Sequence, residues 1–225
     1  MFRILSFVFS IFLFLFCVDS SKTGPEMFGK NIYKSVCKLS VAAEIKVDKG
    51  KLYRHIGDGT CFAISEHELI TAGHICAELK DPTVFLRVSF LNKEMSYEHH
   101  KEELKVSISD ESKDLCILYI NNNPLKPIKL SKVSPLMGDR VYVVGFFGDG
   151  DYIMTEGFYG KEMLLSHKND LVAASLSAPT LFGSSGAPVL NNKGELVGVV
   201  IGGVPKFHHM TVSPAFSEIN KFLGR

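Results

Sequence analysis

Three stretches of this chain hold residue types that can do chemistry together. LFGSSGAPVL, residues 181–190, sets Gly183, Ser184, Ser185 and Gly186 ahead of an apolar run. Two serines between glycines can be a tight connection, because glycine supplies the positive φ that turns need. A serine on such a turn can also be a nucleophile once a base takes its proton. GTCFAISEHELITAGHIC, residues 59–76, opens with a glycine turn and closes an apolar run on His74. Thr71, Ala72 and Gly73 are small enough to let the imidazole stand clear of the backbone. SKDLCILYI, residues 112–120, puts Asp114 ahead of Leu115, Ile117, Leu118 and Ile120. A lone histidine is most often structural, and an acid opening a strand is most often solvated. A carboxylate at the mouth of a buried strand can instead hold an imidazole's tautomer and stabilise the imidazolium.

These residues need a frame. From Cys37 to Leu136 the chain runs in short apolar segments, CKLSVAAEIKV, LYRHIGDGTCFAI, ELITAG, TVFLRVSFL, ELKVSIS and LCILYI. Several alternate at period two and are rich in Val, Ile, Phe and Tyr, which predicts strands. NNNPLKPIKLSKVSP then breaks the pattern, and a second set follows: DRVYVVGFF, YIMTEGFYG, KEMLLSH, LVAASLS, APVLN, ELVGVVIGG and HMTVSP. The pattern predicts an all-β fold of two six-stranded antiparallel β-barrels, over about residues 30–122 and 136–212, with a linker over about 121–135. The tail predicts a C-terminal α-helix over 213–223. There Ser213 would cap, Pro214 suits the first helical position, and Phe216, Ile219 and Phe222 share a face.

The 225 residues are 46% hydrophobic, with 17 Phe and no Trp, which suits a sizeable core and excludes a disordered chain. Lys plus Arg is 25 against 24 Asp plus Glu, so the net charge of +1 gives no basis for binding nucleic acid. Residues 1–20 read as a signal peptide, with one arginine, apolar Ile4 to Val18, and Val18 and Ser20 at the cleavage positions. The alternative is an uncleaved anchor that tethers the body, residues 21–225, to a membrane through residues 4–18. Either reading takes the body out of the cytosol. Cys37, Cys61, Cys76 and Cys116 are then an even set in an oxidising compartment, with three possible pairings. A Cys61–Cys76 bridge would pin the histidine turn, leaving Cys37 to pair with Cys116 or Cys116 as a buried free thiol. His99 and His100 beside Glu98, Glu102 and Glu103 read as a solvated loop, because neighbours on a strand face opposite ways. GDGD, residues 148–151, reads as a hairpin turn. No metal site is expected.

Together the three stretches resemble the trypsin-like (chymotrypsin-fold) serine peptidases, in the chain order His, Asp, Ser. The family's Thr-Ala-Ala-His-Cys is matched by Thr71-Ala72-Gly73-His74-Ile75-Cys76, one residue longer before the cysteine. Its aspartate ahead of an apolar strand is matched by Asp114-Leu115-Cys116-Ile117-Leu118. Its Gly-Asp-Ser-Gly-Gly-Pro is matched by Gly183-Ser184-Ser185-Gly186-Ala187-Pro188, and the resemblance runs from roughly Lys34 to Leu223. It implies a serine endopeptidase acting on protein or peptide substrates through an acyl-enzyme, with no cofactor. Ser185, rather than Ser184, would be the nucleophile and His74 the base and then the acid. Asp114 would orient His74, and the N–H groups of Gly183 and Ser185 would form the oxyanion hole.

Departures from the family refine that expectation. Ser184 stands where activatable members carry Asp, and there is no Ile-Val-Gly-Gly start. Activation by N-terminal insertion is therefore not expected, as in the viral and bacterial stress-protease branches. Gly73 for Ala and Ala187 for Gly are small changes. Ile201 falls where many members have a serine that contacts the catalytic Asp. Pro179 takes the pocket-base place where trypsin has Asp. Pro179, Thr180, Val200 and Gly203 are thus expected to line a neutral pocket for small to medium apolar side chains, with His208 or His209 as an alternative pocket wall. Two other readings stay open: a catalytically silent relative that binds, and an esterase-type acyl hydrolase.

Overall fold

In the computed structural model, which describes residues 29–48, 50–100, 104–165, 170–204 and 207–224, the period-two runs pair into two antiparallel sheets of seven strands each. The leader, residues 1–20, lies outside the described residues. The first sheet holds β1 (Val36–Val47), β2 (Gly50–Ala63), β3 (Glu68–Ala72), β4 (Val84–Leu91), β5 (Tyr97–His99), β6 (Lys105–Asp110) and β7 (Leu115–Tyr119). Their order is β5-β4-β1-β2-β3-β7-β6. The second holds β8 (Arg140–Phe147), β9 (Asp151–Leu165), β10 (Leu171–Leu176), β11 (Pro188–Leu190), β12 (Leu196–Val199), β13 (Gly202–Val204) and β14 (Phe207–Pro214), in the order β12-β11-β8-β9-β10-β14-β13. This is the double-barrel layout that the sequence predicts, with seven strands where six are expected.

The departures from the expected runs have local causes. β5 is three exposed residues with no apolar alternation to announce it. YIMTEGFYG and KEMLLSH form one continuous strand, β9, whereas ELVGVVIGG divides into β12 and β13. Gly59 does not turn the chain but lies inside β2, where a Cβ would come within 2.3 Å of the Ile75 side chain. Residues 148–151 do form the β8–β9 hairpin turn, with Gly148 and Gly150 at φ +57° and +100°.

Alternation sorts the side chains. On β1, Cys37, Leu39 and Val41 are buried while Lys38 and Ser40 between them are only partly covered. One apolar cluster joins the two sheets: Phe62, Ile70 and Leu115 from the first pack with Val144, Phe146, Leu190 and Val199 from the second. The chain passes between sheets through hydrogen-bonded segments, with the Ile128 N–H donating to Ala63 O at 2.8 Å and Leu130 bridging Leu196.

Two helices complete the described frame beside short 3-10 turns: α1 (Gly73–Ala77) and α2 (Phe216–Phe222). α2 starts three residues later than expected from Ser213. That serine is buried in β14, where its hydroxyl accepts from the Val199 N–H at 2.9 Å and donates to Pro214 O, so it cannot cap a helix. Phe216 and Ile219 are buried, as their spacing predicts.

The Cys61–Cys76 pairing is corrected. Cys37 bonds Cys61 and Cys76 bonds Cys116. Cys37 and Cys61 face each other in the β1–β2 register with Cα atoms 4.9 Å apart, and Cys76 reaches from α1 to β7. His99 lies on β5 and accepts or donates at Ser89 Oγ, 2.7 Å away. Among the described residues no three His, Cys, Asp or Glu side chains gather to hold a metal.

Candidate active site

β3 and β7 pair antiparallel with Ala72 opposite Leu115, so the end of one adjoins the start of the other. α1 begins at the next residue and presents His74 half-exposed while Ile75 and Cys76 turn inward. Asp114, at φ +54° just before β7, is buried. His74 Nδ1 stands 3.0 Å from Asp114 Oδ1 and 3.2 Å from Oδ2, and the His74 backbone N–H donates to Oδ1 at 2.7 Å. An imidazole that donates from Nδ1 to a carboxylate presents Nε2 as its free base. Gly73 is required here: a Cβ would sit 2.8 Å from Leu115 N and 2.9 Å from Asp114 C. The Cys76–Cys116 bridge ties the same two elements together, two residues beyond each partner of the pair.

The serine stretch is a loop between β10 and β11 in which each carbonyl from residue 181 to 185 has a donor. Leu181 O accepts from the Ser184 N–H at 3.1 Å and from Ser184 Oγ at 2.6 Å, and Phe182 O accepts from the Gly148 N–H at 2.7 Å. Gly183 O accepts from Thr60 Oγ1 at 2.9 Å, Ser184 O from the Ala187 N–H at 2.8 Å, and Ser185 O from the Thr60 N–H at 2.8 Å. In a trans peptide the N–H points opposite the preceding C=O, so these anchors also fix where the Gly183 and Ser185 N–H groups face. Among the described residues neither N–H has an acceptor. Gly186, at φ +85°, must be glycine, because a Cβ would lie 2.2 Å from Thr60 O. Ser185 Oγ makes no hydrogen bond among the described residues, and such contacts often tighten only when substrate binds.

A family model, Trypsin-like peptidase domain, matches residues 59–199, a span that holds His74, Asp114 and Ser185. The chain belongs to the trypsin-like peptidase family. This peptidase domain is 25% identical over 189 residues to Protease Do-like 2, chloroplastic, of Arabidopsis thaliana, covering 80% of the chain and 29% of that relative's length. Its fold matches the Rv3671c protease of M. tuberculosis in the active form, at TM-score 0.68 and 20% identity over 90% of this chain and 86% of the other. Deg5 gives TM-score 0.67 and 20% identity over 87% and 90%. The serine endoprotease of Yersinia pestis gives 0.64 and 15% over 87% and 65%.

Two clefts of the peptidase domain open on either side of His74, Phe182 and Ser185. One, of about 610 Å³, runs toward β13 and β14 past Thr180, Leu181, Ile201, Gly203, Met210 and Thr211. In its lining Thr180 Oγ1 lies 2.8 Å from Thr211 Oγ1, which donates to Ala178 O at 2.6 Å. The other, of about 550 Å³, runs toward β2 and the β8–β9 turn past His55, Asp58, Gly148 and Asp149. Of the expected pocket residues, Thr180 and Gly203 line the first cleft. Pro179 and Val200 do not: Pro179 is exposed away from it, and Val200 is buried in the core, its backbone locked to Gly186 and Ala187. His209 is exposed and does not line the cleft, and the His208 side chain lies outside the described residues. Sequence reasoning missed Thr60, Thr211 and Phe182. Phe182, 94% exposed, carried one usable signal: a large apolar residue directly before Gly-Ser-Ser with no strand to bury it.

Proposed function

We propose that the chain is a serine endopeptidase in which His74, Asp114 and Ser185 act as a triad. The observation that carries this reading is the His74–Asp114 pair opening onto the same clefts as Ser185, whose loop leaves the Gly183 and Ser185 N–H groups free. Ser185 Oγ attacks the scissile carbonyl carbon while His74 Nε2 takes its proton. The carbonyl electrons move onto oxygen, which the Gly183 and Ser185 N–H groups stabilise. Collapse breaks the C–N bond, the amine leaves with the proton from His74, and the acyl group stays on Ser185. Water then repeats the sequence and releases the acid. Asp114 holds the ring and balances the imidazolium charge.

Substrate choice follows from the first cleft. Apart from His74 its lining carries no ionisable side chain among the described residues, and it includes the Thr180–Thr211 hydroxyl pair. A small to medium uncharged side chain before the scissile bond fits it, and Lys or Arg does not. The two disulfides suit an oxidising compartment outside the cytosol.

The test is cleavage of internally quenched peptides varied before the scissile bond, by the parent and by Ser185→Ala. The reading expects Val, Ala or Leu to be preferred over Arg. It also expects kcat/KM to fall by about 10⁴-fold or more in the variant. Equal cleavage by the variant overturns it. Hydrolysis of esters without any peptide hydrolysis supports the acyl-hydrolase reading instead.

A further inference from the structure

Thr60 belongs to the first sheet, yet it holds the serine loop that rises from the second. It is fully buried on β2. Its Oγ1 accepts from the Phe146 N–H of β8 at 2.9 Å and donates to Gly183 O at 2.9 Å. Its N–H donates to Ser185 O at 2.8 Å, and its carbonyl accepts from Thr71 Oγ1 at 2.8 Å. No hydrogen-bonding group of the residue is spare. The surrounding glycines are shaped to it: a Cβ on Gly145 would lie 2.7 Å from Thr60 Oγ1, and one on Gly186 would lie 2.2 Å from Thr60 O.

We propose that Thr60 is a positioning residue that sets the reactive shape of the serine loop, and through it the direction of the Gly183 and Ser185 N–H groups. The inference rests on the serine-peptidase reading. Of the five loop carbonyls, Thr60 anchors two, one on each side of Ser184. Without the hydroxyl, the Gly183–Ser184 peptide unit loses the one anchor at oxygen that the described residues give it, and the Phe146 N–H is left buried and unpaired. A peptide unit freed in this way can rotate, changing ψ of Gly183 and φ of Ser184, and the two adjoining units, which carry the Gly183 and Ser185 N–H groups, shift with it. Val keeps the branched shape and removes the oxygen, whereas Ser keeps the oxygen and removes the methyl.

The experiment uses the full chain with Thr60→Val and Thr60→Ser, reading kcat and KM separately, thermal midpoint, and affinity for a peptidyl boronate whose adduct places an oxygen against the two N–H groups. Thr60→Val is expected to lower kcat by about 10²-fold, the scale of losing one oxyanion donor. Boronate affinity should fall in parallel, with KM changed less than about threefold on that reading. Thr60→Ser should stay within about tenfold of the parent in kcat. A Thr60→Val protein that loses activity only in proportion to its unfolded fraction, or keeps kcat and boronate affinity, overturns the proposal. Gly145→Ala, which crowds the hydroxyl without deleting it, is the second variant where Thr60→Val folds poorly: an unchanged kcat in it also overturns the proposal. An inactive, folded parent overturns the peptidase reading first and this inference with it, whereas an active parent with an unaffected variant overturns this inference alone.

Discussion

Ser184 and Ser185 are neighbours with opposite surroundings. Ser184 is buried with its hydroxyl spent on Leu181 O, while Ser185 borders both clefts with its hydroxyl unbonded. Ser184→Ala should therefore cost about 1 kcal/mol of stability, one lost hydrogen bond, and leave peptide hydrolysis within a fewfold of the parent. Denaturant titration and steady-state rates check it. Gly73→Ala is expected to lower activity as well as stability, since its methyl group would press on the Asp114 backbone. Overpacking of this kind costs about 1–3 kcal/mol, and here the strain falls on the carboxylate that holds His74, so kcat should drop at least tenfold as a rough guide. A Gly73→Ala protein with parental kcat would contradict the pair geometry. The three residues proposed for the triad stood out in the sequence because chemistry restricts residue type at each. Val200 lies off the cleft because ELVGVVIGG splits into two strands there and no residue marks the break at Val200 and Ile201; Pro179 lies in the loop after β10, where no periodic pattern sets which side chains face the cleft.

At the scale of elements, the β1–β2 hairpin shows what sequence pattern leaves out. Counting ladder pairs back from Val47 opposite Gly50 would set Cys37 against Thr60. The register shift between Val41 and Ala42 moves every earlier pair by one and brings Cys61 opposite Cys37 instead. A bulge has no compositional mark here, so the sequence points to Cys61–Cys76, which the register overturns. The two bridges should also separate in function. Chain-entropy arguments give about 3–4 kcal/mol for closing either loop, so both double-alanine variants should melt at lower temperature. Only Cys76→Ala with Cys116→Ala should also lower kcat in the protein that remains folded, because that bridge fastens α1 to β7 beside His74 and Asp114. Equal kcat for the two double variants would contradict this assignment.

At the scale of the whole molecule, the groups proposed for catalysis come from both sheets: His74 and Asp114 from the first, Ser185 from the second, with the Phe62 cluster filling the space between. Such a shared core predicts one cooperative unfolding transition. Phe62→Ala should destabilise by about 3–5 kcal/mol and shift circular dichroism and activity loss together, and separate transitions would contradict it. The all-β layout was legible because period-two runs rich in branched and aromatic residues recur along the described chain. The strand count was not, since β5 has no alternation and β9 merges two runs. The curated relative is far longer than this chain, which spans 29% of it, so the relative's substrates do not transfer by similarity alone. The central claim is that Ser185 is an activated nucleophile. Intact mass after treatment with a fluorophosphonate tests it most directly, on the parent, Ser184→Ala and Ser185→Ala. A single adduct is expected on the first two and none on the third; a folded parent that takes no adduct, or a Ser185→Ala protein that does, would overturn the assignment of Ser185.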